Sequence, residues 1–391
     1  MSYHNRARCD NAQLGKPTMA LDQKVRTAIG LMSGTSMDGI DAALIRTDGQ
    51  TIKEFGPCLS FDYDEAFRDR LRSVLRCDAS DPRLIDIELD LTDLHARVVE
   101  RLIMENEIAT DTIDLIGFHG QTLDHRPNEG LTLQIGDGAR LALETGIPVV
   151  NDFRSNDVAR GGEGAPFASL YHQALAHELD KPTVILNLGG VANVTWVGGG
   201  IGAGEDILAF DTGPASALID DWVAQKLGQS MDVDGKLAAS GTVDHAVLSK
   251  MLDQSYFAKK PPKSLDRGDF NLDRVRPLNA ADGAATLTAF TAKSVAAARA
   301  HFPQPAKQWV VTGGGRKNPT MMKLIADEVG VSVEPVEQVG WDGDNLEAQA
   351  FAFLGVRSVA GLPLSVPTTT GVARPATGGR LHLPPGHIGE F

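Results

Sequence analysis

The sequence has little that could cross-link the chain covalently or through a metal. Its 391 residues include three cysteines, Cys9, Cys58 and Cys77, and no two of them have the CxxC spacing. An odd number of thiols without that spacing argues against a disulfide framework and against a zinc site. We therefore expect free thiols in a reducing compartment, the cytoplasm.

Positive charge is also scarce. The chain carries 37 Lys and Arg against 51 Asp and Glu, which gives a formal net charge of −14. Such a chain repels a phosphate backbone, and no segment is dense in Lys or Arg, so no nucleic-acid partner is predicted. No run of about 18 apolar residues occurs, so no membrane span is predicted either.

Three familiar motifs are missing. The GxxxxGK[ST] P-loop and the GxGxxG dinucleotide fingerprint do not occur, and neither does the GxSxG elbow of the α/β-hydrolases. Glycine is nevertheless abundant: 41 residues are Gly, about one in ten against the usual ~7%. With no collagen period and no low-complexity tract, these glycines belong in specific turns.

The element pattern predicts an α/β chain with two similar halves. Each half opens with a strand, a polar glycine-containing turn and a second strand, at residues 28–49 and 183–199. Each half later has an apolar strand that runs into a Gly-containing loop, GFHGQT and VVTGGGRKNPT. Helices are predicted within 61–108, 284–302 and 345–361. Two related α/β domains facing one cleft would produce this pattern.

Three glycine-containing turns could hold phosphate groups, because glycine lets backbone N–H groups approach an anion closely. The first turn also offers Asp38 and Asp41 to a magnesium ion. Each turn has a plainer explanation: a hairpin turn, a strand bulge or a left-handed turn. The residues of these turns are Gly34, Thr35, Ser36, Met37, Asp38, Gly39, Ile40 and Asp41, then Gly189 and Gly190, and then Gly313, Gly314 and Gly315.

Several polar side chains follow apolar strands and are candidates for catalysis or binding. Asp211 is predicted to end a parallel strand, where partial burial would suit it to general-base work, or to cap the following helix. Glu347 begins the last helix, a position that needs no functional reason. His119 ends a buried strand, as do Asp152 and Arg154, and the arginine could neutralise an anionic substrate.

Nine blocks of the sequence, in order and spacing, resemble the anhydro-N-acetylmuramic acid kinase family. They span roughly residues 27–371 and include IGLMSGTSMDGIDAAL, FHGQT, NLGGVANVT, FDTGPAS, PPKSLDRGDFNL, VVTGGGRKNPTMMKL and LEAQAFAFL. The resemblance implies an actin-like ATPase fold with a central cleft. Residues 26–150 plus 371–391 would form a first domain and 151–370 a second, and residues 1–25 a polar extension that we expect to be disordered.

The resemblance also implies the activity. The family uses ATP and Mg²⁺ to phosphorylate 1,6-anhydro-N-acetylmuramic acid while water opens the anhydro ring, which gives N-acetylmuramic acid 6-phosphate and ADP in peptidoglycan recycling. It implies a cytoplasmic enzyme that forms a homodimer. Another sugar kinase of this fold, which would need no water, and a non-catalytic nucleotide sensor are the alternatives.

The resemblance assigns roles residue by residue. Gly34 to Asp41 would be the ATP phosphate loop, with Asp38 near the metal, and the other two glycine turns would serve the nucleotide. Asp211 would be the general base, and Glu347 would contact the sugar near the reacting centre. The sugar-binding wall would comprise His119, Gln121, Gln134, Asp152 and Arg154.

The chain departs from the family pattern at three positions. Ala215 and Ser216 replace the usual residues after FDTGP, and we expect Ser216 to cap the next helix instead. Glu163 stands where glutamine is expected, which adds a negative charge on the sugar side.

Overall fold

The computed structural model describes residues 24–34, 37–199 and 206–387. Residues 1–23 of the predicted extension lie outside this part of the chain, as do Thr35 and Ser36 of the first glycine turn. Within the described part, no helix is long and apolar enough to cross a bilayer.

Twelve strands of the described residues form two mixed sheets. They are β1 (Arg26–Ser33), β2 (Gly39–Thr47), β3 (Ile52–Asp62), β4 (Leu115–Arg126), β5 (Leu131–Ile135), β6 (Val149–Asn151), β7 (Thr183–Leu188), β8 (Val191–Val197), β9 (Ile207–Pro214), β10 (Gln308–Thr312), β11 (Ser332–Pro335) and β12 (Arg380–His382).

The two sheets repeat one strand order. The first runs β12-β6-β4-β1-β2-β3, with β5 paired to β4, and the second runs β11-β10-β7-β8-β9. In each, three consecutive strands are antiparallel, and the first of the three also pairs in parallel with a strand that comes later in the chain. The internal duplication predicted from the sequence is therefore present in the strand pairing.

Thirteen α-helices of the described residues cover these sheets. They are α1 (Glu65–Ser73), α2 (Arg83–Glu105), α3 (Gly138–Thr145), α4 (Ser155–Ala159), α5 (Ser169–Leu175), α6 (Ser216–Leu227), α7 (Lys236–Ser240), α8 (His245–Leu252), α9 (Ser255–Ala258), α10 (Ala280–Ala297), α11 (Pro319–Val329), α12 (Leu346–Val359) and α13 (Pro367–Thr370).

Alternation along β1 places two different helix layers on its two faces. Ile29 and Leu31 pack with the buried side of α2, whereas Ala28 packs with α12. Val310 of β10 joins the α12 cluster, so this helix lies between the two sheets. The predicted α/β class is confirmed by these layers of sheet and helix.

The helix α12 lies unusually close to the first sheet. A Cβ placed on Gly30 would be 1.7 Å from the carbonyl oxygen of Ala348, and one on Gly117 would be 2.0 Å from that of Phe351. Only glycine leaves room for this approach of two backbones. The domain boundaries remain a prediction. They put α12 in the second domain, yet this helix lies against β1 and β4 of the first sheet.

Most predicted elements are confirmed: both hairpins are present, and α10 and α12 lie where helices are predicted within 284–302 and 345–361. The prediction of helix from residue 61 onward is wrong at its start, since β3 extends to Asp62 and α1 begins at Glu65. The strand β3 itself was not predicted.

Candidate active site

Asp211 lies on β9, and the structure corrects where the sequence placed it. The strand continues to Pro214, so Asp211 does not end it, and β9 pairs antiparallel with β8. The alternative role as a helix cap is also wrong, because the N-cap of α6 is Ala215 and no side chain caps that helix. The predicted cap by Ser216 is therefore absent too.

A short loop holds Asp211 at two points. The backbone N–H of Asp211 donates to the carbonyl of Lys263 at 3.0 Å, and the N–H of Leu265 donates to Asp211 Oδ2 at 2.8 Å. The Tyr256 hydroxyl donates to the Asp211 carbonyl at 2.5 Å. The side chain of Asp211 is thereby fixed through Oδ2, and no hydrogen bond to Oδ1 comes from the residues that the structure describes.

Burial sets the acidity of this carboxyl group. Asp211 is 6% exposed, and burial raises its pKa to about 7, against the opposing hydrogen bond from Leu265. Glu163 raises the pKa further, whereas the positive charge of Arg154 lowers it. A carboxyl group with a pKa near 7 can accept a proton at neutral pH and is a stronger base than an ordinary aspartate.

Glu347 lies in the first turn of α12 and is half-buried. Its Oε1 accepts a hydrogen bond at 3.1 Å from the side-chain amide of Asn187, at the end of β7. Burial raises the pKa of Glu347, and the charge of Arg154 lowers it. The carboxylate is thus carried by a helix on the first sheet and bound by a residue of the second.

Arg154 and His119 are in direct contact. The guanidinium Nε and a terminal nitrogen lie 3.2 and 3.0 Å from His119 Nε2, and the other terminal nitrogen donates to the carbonyl of Gly164 at 2.6 Å. Since Nε2 accepts from the guanidinium, His119 is neutral, with Nδ1 donating to the carbonyl of Gly120 at 2.8 Å. Burial and the nearby Arg154 lower the pKa of His119, consistent with that state.

Gln121 faces the first glycine turn. Its Oε1 accepts from the Ser33 hydroxyl at 2.6 Å, and its Nε2 donates to the Gly34 carbonyl at 3.1 Å. The turn is anchored by Met37, which is buried in the first-sheet core and adopts a φ of 53°. In this structure Gln121 therefore supports the predicted phosphate loop.

The first glycine turn carries two acidic residues, Asp38 and Asp41, that could bind magnesium. Burial raises the pKa of Asp41, and the neighbouring carboxylates of Asp38, Asp344 and Asp342 raise it further, against a hydrogen bond from Ser60. In the described part of the chain, no three His, Cys, Asp or Glu side chains are placed to hold a metal. Because Mg²⁺ is commonly held by one or two carboxylates together with substrate phosphates, Asp38 and Asp41 fit an ion that binds together with ATP.

The other two glycine turns lie side by side. The carbonyls of Gly189 and Gly190 accept hydrogen bonds from Ser216 and Ala215, at the start of α6. Gly313 has a φ of 79° and a ψ of 166°, which is not the left-handed turn weighed from the sequence, and a Cβ there would lie 2.6 Å from the Leu188 carbonyl. Gly315 also approaches Leu188, whereas a Cβ on Gly314 would meet nothing within 4 Å.

A cavity of about 380 Å³ contains part of the predicted sugar wall. His119, Gln134 and Asp152 line it together with residues of β5, β6 and β12, but Asp211 and Glu347 do not. Gln134 donates to the Thr132 hydroxyl at 2.7 Å, and Asp152 holds a φ of 55°, which is strained for a residue other than glycine.

The structure therefore brings together Asp211, Arg154, His119 and Glu347, and places Gln134 and Asp152 in the adjoining cavity. Sequence reasoning missed Asn187, Tyr256 and Leu265. Leu265 lies in the PPKSLDRGDF block and Asn187 in the NLGGVANVT block, but neither block assigns a role to these residues, and Tyr256 lies in neither of the two.

Comparison with known proteins adds a family. The family model described as anhydro-N-acetylmuramic acid kinase matches residues 26–383. The protein of that name from Rhodospirillum rubrum is 55% identical over 354 residues, covering 90% of this chain and 93% of that protein. Its counterpart from Rhizorhabdus wittichii is 52% identical and covers 91% and 99%. A solved xylulose kinase from Lactobacillus acidophilus is 11% identical, with a TM-score of 0.45 over 92% of this chain and 94% of that one.

Proposed function

The chain belongs to the anhydro-N-acetylmuramic acid kinase family, and from that membership we propose that it uses ATP to phosphorylate 1,6-anhydro-N-acetylmuramic acid while water opens the anhydro ring. The products are N-acetylmuramic acid 6-phosphate and ADP, a step of peptidoglycan recycling. We further propose that the enzyme works in the cytoplasm and forms a homodimer. Light scattering after gel filtration would test the homodimer.

Asp211 is the proposed general base. It takes a proton from a water molecule whose oxygen forms the new bond to the anomeric carbon. The bond from that carbon to the 6-oxygen breaks, and the 6-oxygen takes the γ-phosphoryl group of ATP. Because the leaving oxygen is phosphorylated instead of protonated, the acid of a glycosidase is not needed.

Arg154 and Glu347 are proposed to orient the sugar. Arg154 is held by His119 and Gly164, so its positive charge has a fixed position near Asp211 and Glu347. His119, Gln134 and Asp152 contribute the surrounding wall. The glycine turns at 34–41, 189–190 and 313–315 are proposed to receive the phosphates, with Gln121 supporting the first.

Mg²⁺, held by Asp38 and Asp41 together with the phosphates, would offset negative charge on the transferred phosphoryl group. The chain has a net charge of −14, so its overall electrostatic field does not attract an anionic nucleotide, and local cations such as Mg²⁺ have to offset the phosphate charge.

The observation that carries the proposal is the buried Asp211 carboxylate, clamped by Leu265 and with a pKa of about 7. Replacing it by asparagine keeps the shape and removes the base, so Asp211→Asn should lose about 10²-fold or more in kcat. Asp220→Asn is the matched control. Asp220 lies on α6, burial also raises its pKa, to about 6, and it has no role in the proposed mechanism.

The reaction itself is tested in heavy-oxygen water. With ATP, magnesium and the anhydro sugar, one heavy oxygen should appear on the anomeric carbon of the phosphorylated product. Phosphorylated product without that label would indicate an ordinary sugar kinase, and nucleotide binding without any product would indicate a sensor.

A further inference from the structure

Glu163 is joined to Asp211 through two neighbouring residues. The Ser264 hydroxyl donates to Glu163 Oε2 at 2.5 Å, and the next residue, Leu265, donates its N–H to Asp211 Oδ2. The residue before Ser264 accepts the N–H of Asp211 through its carbonyl. Ser264 is therefore the middle of the segment that clamps Asp211, and Glu163 is the side chain that holds it.

The backbone of Glu163 is itself firmly placed. Its N–H donates to the Thr370 carbonyl at 2.6 Å, and its carbonyl accepts from His125 Nε2 at 2.9 Å. The following N–H, of Gly164, donates to the buried Asp157 carboxylate at 2.7 Å. A side chain on so well-anchored a backbone can position a loop that belongs to a different part of the fold.

Glu163 and Gly164 also affect the charges near Asp211. Gly164 accepts the hydrogen bond that orients Arg154, the cation near Asp211. Glu163 supplies a negative charge. Among the described residues, Asp269, Lys263 and Tyr256 are further charged or titratable groups that interact with Asp211.

From this arrangement we propose that Glu163 is a positioning residue of the reaction: it holds Ser264 so that Leu265 keeps Asp211 aimed at the attacking water, and it places a negative charge beside the base. The inference rests on the proposed function, in which Asp211 activates water. It gives a role to a residue that the sequence marked only as an unexpected negative charge.

Glu163→Gln separates the two effects. The glutamine carbonyl oxygen can still accept from Ser264, so the clamp survives, but the negative charge is gone. Since a neighbouring negative charge disfavours the ionised form of Asp211, its removal makes Asp211 lose its proton at lower pH. The acid limb of the kcat profile should move down by about half a pH unit, with KM for the sugar nearly unchanged.

Ser264→Ala is the matched variant, because it removes the hydrogen bond and leaves the charge. Its kcat should fall several-fold at every pH, and its acid limb should not move downward. Thermal unfolding shows whether both variants fold. If part of a variant is unfolded, the pH midpoint of its acid limb can still be measured, because that midpoint does not depend on the concentration of active enzyme.

The outcomes are distinct. A limb that moves down in Glu163→Gln and not in Ser264→Ala supports the inference. Equal losses in both variants with the limb unmoved would mean a merely structural role and overturn it, while Asp211→Asn would still report on the base. A wild-type protein that forms no labelled product would overturn the proposed function and this inference together.

Discussion

Gly30 on β1 is the position where the packing of α12 can be tested most sharply. A Cβ there would be 1.7 Å from the Ala348 carbonyl oxygen and 2.6 Å from the Ala352 nitrogen, against the 3.4 Å at which ordinary contact begins. Both atoms are helix backbone, so no side-chain rotation can relieve the clash. In Gly30→Ala the helix must recede from the sheet, and overpacking of this kind costs about 1–3 kcal/mol of unfolding free energy.

The same displacement should reach the active site. Ala348 follows Glu347 directly, so a helix that recedes carries the Glu347 carboxylate away from its place, and a misplacement of about 1 Å can cost ~10²-fold in rate. We expect Gly30→Ala to lower the urea midpoint and to reduce kcat at least tenfold in the protein that remains folded.

Gly199→Ala is the control for this experiment. Gly199 lies beyond β8. Among the described residues the nearest atom to an added Cβ is a Lys181 side-chain atom at 3.9 Å, and the φ of Gly199 lies outside the left-handed region that favours glycine. It should leave both measurements unchanged. Equal midpoints and full activity in Gly30→Ala would refute the close approach of α12 to β1 and, with it, the idea that this contact places Glu347.

Three further predictions concern other parts of the molecule. Asn187→Ala removes the 3.1 Å hydrogen bond to Glu347, so kcat should fall about tenfold with little loss of stability, and an unchanged kcat would contradict a role for this bond. Gly313→Ala forces a side chain into a φ of 79° against Asn187 and Leu188, so KM for ATP should rise more than KM for the sugar, and a selective rise in the sugar KM would contradict the nucleotide assignment. Burial lowers the pKa of His172 to about 3, so the unfolded state takes up a proton below about pH 6.5 that the folded state excludes, and stability is lost as pH falls. His172→Gln should therefore lose about 2 kcal/mol less unfolding free energy than the wild type between pH 7 and pH 5, whereas equal losses would contradict a neutral buried His172.

The sequence predicted the elements whose pattern is local. Both hairpins and most helices have strong apolar periodicity, and glycine marks their ends. The strand β3 has no such signal, because its residues are mostly exposed or half-buried at the edge of the sheet. The alternation of apolar and polar residues along β3 is too weak to distinguish this strand from the helix that follows it.

The sequence proposes candidate residues for the site but not the contacts between them. Asp211 and Glu347 remain proposed site residues, and the prediction of a parallel strand for Asp211 is wrong, because β9 pairs antiparallel with β8. Strand direction depends on pairing between segments that can be distant in sequence, so the local pattern does not determine it. Leu265 acts through a backbone N–H, which any residue type provides, so no sequence pattern marks it. The Glu163–Ser264 hydrogen bond joins residues about a hundred positions apart and depends wholly on the tertiary fold.

The position of α12 between two sheets of like strand order has a consequence for variation in this protein. The helix packs side chains against both sheets, and in addition its backbone meets the first sheet at two glycines, while Glu347 accepts a hydrogen bond from Asn187 of the second. Any residue larger than glycine at position 30 or 117 would bring a Cβ within 2.0 Å of a carbonyl oxygen of α12, so the helix would have to move away from the first sheet. The distance between α12 and the first sheet therefore depends on two positions without a side chain. We expect Gly30 and Gly117 to tolerate substitution poorly, although they are the smallest residues of their strands.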